Sequence, residues 1–301
     1  MLKPYSESFF ACECDYQDAR AVIFGAPFDS TTSFRPGTRF ASRVMRQESF
    51  GLESYSPYQD LDLYDYPIFD SGDLELPFGS APAVLKDIEE RTAAILRDGK
   101  RPLMIGGEHL TTLGAVRAAA KVYPKLCVIQ FDAHTDLRTD YLGEALSHAA
   151  VMRRCWELLG DGNIFQFGIR SGLREEFRWA ETHTQLQKFD FGGLPETVKA
   201  LSGRPVYLTL DLDVLDPSVL PGTGTPEAGG VSFMQLLDAI LSLAPLNIVA
   251  CDINELAPIY DQSGASTATA LKILRELLLV LLGSSDRLQS QTQKPKAKVF
   301  G

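Results

Sequence analysis

The chain has 301 residues, of which 45% are hydrophobic and 23% charged, with 39 acidic against 29 basic side chains for a net charge of −10. This is globular composition, and at such a length roughly 75% of the unfolded chain's surface can be buried, so a large core is available without disulfides. The acidic balance argues against nucleic acid or an anionic membrane as the main partner and suits a small cationic molecule.

The opening stretch, MLKPYSESFFACECDYQD, has no basic segment followed by an apolar run. No window approaches the roughly 18 uninterrupted apolar residues of a membrane span. Cys12, Cys14, Cys127, Cys155 and Cys251 are odd in number and scattered. Cys12 and Cys14 form a Cys-x-Cys pair with no second pair, so no zinc knuckle is read there. Reduced thiols and a cytoplasmic setting are expected.

Six short runs read as strands: 21–24, 103–105, 127–131, 164–167, 206–210 and 248–251. They are apolar throughout instead of alternating, as strands buried on both faces are, which favours a parallel sheet covered by helices on each side. Between them, residues 82–96 place Val84, Leu85, Ile88, Ile95 and Leu96 on one helical face, and Gly99 offers a left-handed stop. Ser147 is a candidate N-cap for a helix ending near Gly160. Ser232 with Gln235 reads as a capping box, and a last helix is predicted over 268–282. The expected fold is α/β, a three-layer, doubly wound, mainly parallel sheet in one domain over 1–283. The polar remainder, 284–301, is expected to be a mobile tail.

Three segments concentrate the chemistry. IGGEHLTT places His109 just after the second strand-like run. QFDAHTDLR places Asp132, His134 and Asp136 after the third, and TLDLDVLDP places Asp211 and Asp213 after the fifth. In open α/β sheets the ligand crevice lies outside the carboxyl ends of the strands, so three tips could converge there. The alternation D-x-H-x-D and D-x-D lets side chains on one side of an extended segment face one cavity. Four close carboxylates repel unless cations hold them, and two divalent ions would balance them. Oxygen-rich ligation with one imidazole per ion suits Mn²⁺ better than zinc. Such a pair lowers the pKa of water toward neutrality and supplies a nucleophile. A lone aspartate at a strand end is usually a turn or cap residue; three such clusters, each at a strand end, carry the reading. His183 is given no role.

These segments resemble the signatures of the ureohydrolase (arginase–agmatinase) family. The likeness runs over roughly residues 20–282 and includes GAPFDSTTSFRPGTRFAS, PGTGTPEAGG and CDINELAPIYDQSGASTA. FDAHTDLRTDYLGEALSHA is most similar to bacterial agmatinases. The resemblance implies an arginase-like fold and two Mn²⁺ ions, one held by His109, Asp132, Asp136 and Asp211, the other by His134, Asp132, Asp211 and Asp213. Asp132 and Asp211 would bridge both. It implies further that His148 shuttles protons with Asp136, that Glu255 receives the substrate's guanidinium, and that the chain forms a trimer or hexamer.

The family's members differ in how they hold the far end of the substrate. Arginases grip the amino-acid end with an Asn two residues beyond the last aspartate of DAHTD, where this chain has Arg138, and with a Ser-Gly-Asn-like stretch where it reads GEALSH. Agmatine, giving putrescine and urea, is therefore the expected substrate. Glu144 and Glu227 are candidates for a distal cation, though both read equally as solvated surface. Arg138 leaves a guanidino acid such as guanidinobutyrate, or guanidinopropionate or arginine itself, as the competing reading. A metal-binding paralogue without turnover is disfavoured because His148 and Glu255 are in place. A metallophosphatase is disfavoured because no GNH[ED]-type segment is present.

Overall fold

All five residues of β1 (Ala21–Gly25) are buried, so the run is apolar because both its faces are interior. The computed structural model describes residues 8–292, and of 284–292 only the backbone. After β1 come α1 (Ala41–Glu48), the two-residue antiparallel pair β2 (Tyr55–Ser56) and β3 (Leu61–Asp62), β4 (Ile68–Asp73) and α2 (Ala81–Arg97). Then follow β5 (Arg101–Ile105), α3 (Thr111–Val122), β6 (Cys127–Phe131), α4 (Val151–Leu159), β7 (Ile164–Ile169) and α5 (Arg174–His183). The chain continues through β8 (Gln185–Lys188), α6 (Leu194–Ala200), β9 (Pro205–Asp211), α7 (Phe233–Ser242), β10 (Asn247–Asn254) and α8 (Ala265–Thr292).

Eight strands form one sheet in the order β4-β1-β5-β10-β9-β6-β7-β8, and each neighbouring pair is parallel. Side chains of a strand point alternately to the two faces. Val206, Leu208 and Leu210 accordingly join one core with residues of α1, α7 and α8, while Tyr207 joins the other with α2, α3 and α4. The result is the expected three-layer α/β/α arrangement. The order reverses between β5 and β6: these strands are joined through α3, yet β10 and β9 lie between them. Ligand crevices form at such switch points, and the four central strands β5, β10, β9 and β6 all end there.

Several boundaries differ from the sequence expectation. Gly99 follows α2 with φ +74°, the left-handed stop anticipated, whereas the cap at Ser80, whose hydroxyl accepts from the Ala83 amide, was not read from the sequence. The capping box at Ser232 and Gln235 is present. Two strands lacked any apolar run, β4 (IFDSGD) and β8 (QLQK); both are sheet edges, where only one neighbour demands burial. Ser147 sits at the head of a 3₁₀ turn, His148–Ala150, but its buried hydroxyl makes no capping hydrogen bond, and the helix proper starts at Val151. The last helix is longer at both ends than predicted, starting at Ala265 and running to Thr292. Of the tail expected over 284–301, residues 293–301 lie outside the described residues, as do the side chains of 284–292. No helix among the described residues is long and apolar enough to cross a membrane.

Candidate metal centre

The GGEH turn after β5 is folded tightly against the segment after β1. The Glu108 amide donates to the Phe28 carbonyl at 2.7 Å. A Cβ on Gly107 would overlap that same carbonyl, so only glycine lets the two backbones pass. This close approach aims His109 inward, where its ring is 1% exposed. Just past β6, the Asp132 carboxylate accepts from the His134 amide at 2.6 Å and from the Gln130 side-chain amide at 2.6 Å. At the end of β9, Asp211 accepts from the Asp213 amide at 2.8 Å, and Asp213 accepts from the Ala133 amide at 3.1 Å. Backbone donors thus orient the carboxylates before any ligand arrives.

His109 Nδ1 lies 2.9 Å from Asp132 Oδ2, 3.0 Å from Asp136 Oδ2 and 3.4 Å from Asp211 Oδ2. His134 Nδ1 lies 3.0 Å from Asp213 Oδ2 and 3.6 Å from Asp132 Oδ1. The donor atoms fall into two groups able to hold an ion, His109–Asp132–Asp211 and Asp132–His134–Asp213. Asp132 belongs to both. Asp211, expected to be shared as well, groups only with the first.

The donor chemistry fits a pair of cations. His109 Nδ1 is buried with no aligned hydrogen-bond partner, although three carboxylates surround it. Its Nε2 meets the Thr209 hydroxyl at 2.8 Å. An imidazole nitrogen aimed among carboxylate oxygens is a ligand set, since metal-bound imidazoles use their other nitrogen in this way. Without cations the cluster retains protons. Burial, followed by the Asp132 charge, pushes Asp136 up to about 7. Burial, with Asp213 and Asp132 beside it, raises Asp211 well above the usual carboxylate range. Burial works against the ionised Asp132, but His109 and His134 hold it below that range.

Two further residues complete the site. Glu255, just past β10, is 2% exposed and takes a left-handed backbone, φ 66°. Its Oε1 accepts from the His109 amide at 2.8 Å. Burial, and then the neighbouring Glu108, push its carboxyl well above the ordinary value. Two buried glutamates side by side make a place for a cation. His148 Nε2 accepts from the Ser33 amide at 3.2 Å and meets the Ser33 hydroxyl at 3.0 Å, so that nitrogen carries a lone pair. Burial, with His134 and His109 near, lowers the His148 imidazole to about 4.

A cavity of about 250 Å³ opens over the cluster, lined by His134, Asp136, Arg138, Tyr141, His148 and Thr225 among others. A larger one of about 570 Å³ adjoins it, sharing Ser33 and Tyr141 and including Glu144. Size does not locate the chemistry here, because the larger cavity holds none of the clustered donors. Arg138 lies 3.8 Å from Glu176 and stacks on Tyr141 at 5.0 Å, so it lines the cavity with its charge already partnered. Glu144 accepts from the Leu146 amide at 2.9 Å in its own turn, and Glu227 lines neither cavity. His183 stacks on Trp179, with ring centroids 4.1 Å apart.

Sequence reasoning passed over Glu108. Its buried carboxylate accepts from the Thr31 amide at 2.8 Å, from the Thr32 hydroxyl at 3.1 Å and from the Thr31 hydroxyl, and it pins the 31–33 segment beside His148. The signal was present, since an acidic residue beside His109 in an apolar turn needs a partner, but its partners lie 76 and 77 residues away in the chain.

The arginase-family profile matches residues 19–280. An agmatinase of Bacillus subtilis is 48% identical over 275 residues, covering 90% of this chain and 95% of its own. An N(1)-aminopropylagmatine ureohydrolase of Thermococcus kodakarensis is 39% identical, covering 86% and 89%. The crystal structure of an agmatine ureohydrolase of Thermoplasma volcanium superposes with a TM-score of 0.84 at 33% identity, covering 95% and 97%. Strand order, clustered donors and similarity along nearly the whole length agree: the chain belongs to the arginase family.

Proposed function

We propose that the protein is a binuclear manganese hydrolase that cleaves agmatine to putrescine and urea, a step of polyamine biosynthesis. One observation carries the reading: two His/Asp groups sharing Asp132 lie at the tips of the central strands. The 48% identity to an agmatinase supports the substrate. When bound, two divalent ions supply the strong nucleophile that a charge-delocalised guanidinium demands at neutral pH.

The chain's own residues do the rest. His109, Asp132, Asp136 and Asp211 would hold one ion, and His134, Asp132 and Asp213 the other, with Asp211 shared between them only on the family resemblance. Glu255 receives the guanidinium; its Oε1 is fixed by the His109 amide, which aims the carboxylate and leaves Oε2 free for a charge-assisted hydrogen bond. Asp136, buried beside His109 at the cluster, takes and returns a proton as the amine departs. His148, held neutral by burial, exchanges that proton with water at the cavity mouth through its Ser33-bonded nitrogen.

Agmatine carries a second cation at its far end. With Arg138 compensated by Glu176, no free positive charge in the cavity lining is available to a distal carboxylate. That favours agmatine over guanidinobutyrate or arginine. Five unpaired cysteines support a reducing, cytoplasmic setting. A trimer or hexamer rests on the family resemblance.

Manganese-reconstituted protein, offered agmatine, arginine, guanidinobutyrate and guanidinopropionate, is expected to release urea from agmatine with at least a tenfold advantage in kcat/KM. Preference for a guanidino acid would transfer Arg138 to substrate binding. Absence of urea from every compound would end the proposal.

A further inference from the structure

Two glutamines interrupt strands that are otherwise apolar. Gln130 on β6 and Gln166 on β7 are register partners in the sheet, and both are 0% exposed. Burying an amide is costly unless its polar atoms find partners. Here every one does. Gln130 Nε2 donates to Asp132 Oδ2 at 2.6 Å and to the His134 carbonyl at 3.4 Å, while Gln130 Oε1 accepts from Gln166 Nε2 at 2.6 Å. Gln166 Nε2 donates also to the Thr135 carbonyl at 2.7 Å, and Gln166 Oε1 accepts from the Thr184 hydroxyl at 2.9 Å. Neither glutamine lines the cavity over the cluster, so neither is placed to meet a substrate.

Which end of each amide donates is fixed by neighbours that can only accept. A backbone carbonyl carries no hydrogen, so the His134 carbonyl requires the nitrogen of Gln130 on its side, and the Thr135 carbonyl requires that of Gln166. The two amides then meet nitrogen to oxygen, as this assignment demands. Gln130 therefore presents an N–H, not an oxygen, to Asp132 Oδ2. The other carboxylate oxygen, Oδ1, takes the His134 amide at 2.6 Å. Each oxygen has one donor from the chain, and each faces a different imidazole: Oδ2 lies 2.9 Å from His109 Nδ1, and Oδ1 lies 3.6 Å from His134 Nδ1. Asp132 is the residue common to both donor groups. We infer that Gln130, buttressed by Gln166, is a positioning residue: it holds the plane of the Asp132 carboxylate so that one oxygen is turned toward each ion position. A single donor per oxygen leaves each with a lone pair for a cation. The inference rests on the proposed role of Asp132 as the shared metal ligand.

The test measures metal, not turnover. Manganese dissociation constants are determined by chelator competition for the parent, Gln130→Met and Gln166→Met, with folding checked by circular dichroism. Methionine keeps the length of glutamine and stays buried, but removes its hydrogen bonds. Because Asp132 serves both positions, Gln130→Met should weaken both ions together, by about 10–100-fold. Gln166→Met leaves Gln130 in place without its buttress and should weaken both by at least about threefold. At two manganese per chain, the exchange-coupled electron paramagnetic resonance spectrum expected of the parent should give way, in Gln130→Met, to the six-line signal of separate ions. A role in packing alone would lower the urea midpoint and leave constants and spectrum as in the parent; that outcome overturns the inference. So does weakening of one ion with the other unmoved. If Gln130→Met does not fold, Gln166→Met decides, and parental constants there overturn it. A parent protein that binds no manganese would instead refute the reading on which the inference stands.

Discussion

Glu255 and Asp136 are non-glycine residues in left-handed backbone, φ 66° and 53°, and both belong to the candidate site. Such conformations cost on the order of 1–3 kcal/mol and persist where the surroundings enforce them. For Glu255 the enforcement is visible: its amide donates to Gly107 at 2.9 Å while its side chain takes the His109 amide. The carboxylate is therefore aimed by the same turn that aims His109. Glu255→Gln should keep both ions and the fold but lower kcat/KM by about 10²–10⁴-fold, since a neutral amide cannot pair with a guanidinium; metal analysis alongside kinetics separates the two effects. His148 gives a second expectation at this scale. Its imidazole is lowered to about 4 from 6.5 by burial and by positive neighbours. The unfolded chain thus binds a proton at higher pH than the folded one. Its contribution to stability is complete above pH 6.5 and is lost as pH falls toward 4. His148→Asn should lose stability less steeply across that window in urea titrations, and should lower kcat by about 10²–10⁴-fold at neutral pH. The residues that face the cavity were readable in the sequence because acids and histidines at strand ends announce themselves. Glu108 was not, because its partners Thr31 and Thr32 come from a loop 76 and 77 residues away in the chain.

At the level of elements, the central strands were plain from their unbroken apolar runs, each of them buried on both faces. The edge strands β4 and β8 were missed for the complementary reason: half-exposed strands carry polar residues and resemble loops. The turn after β5 shows how an element boundary becomes a site. Gly107 passes against the Phe28 carbonyl, and the loop beyond β1 is thereby laid across Glu108 toward His148. Gly107→Ala forces those backbones apart. It should destabilise the fold by about 1–3 kcal/mol in urea unfolding and weaken manganese binding together with it. A variant with parental stability and parental metal affinity would show that the crossing tolerates a side chain.

Across the whole molecule, the cluster stores protons that cations must displace. Asp136 is raised to about 7 and Asp211 well above its usual value. Loading should therefore release protons and weaken as pH falls below about 7, seen as a buffer-dependent heat in calorimetry. Removing metal with a chelator should lower the unfolding free energy, each ion contributing about 2.7 kcal/mol at a free concentration one hundred times its dissociation constant. A melting temperature indifferent to manganese would mean that the folded chain does not hold it.

The placement of β10 has a consequence for how the molecule comes into being. This strand is synthesised last of the ten, yet it lies in the middle of the sheet, hydrogen-bonded to β5 on one side and β9 on the other. Until residues 247–254 leave the ribosome, the nascent chain can assemble only two half-sheets, β4-β1-β5 and β9-β6-β7-β8, each with a raw, sticky flank. A keystone delivered so late postpones closure of the sheet and leaves the facing flanks of β5 and β9 unpaired until it arrives. A chain truncated before Asn247 should be insoluble, as judged by the fraction recovered in the supernatant after expression.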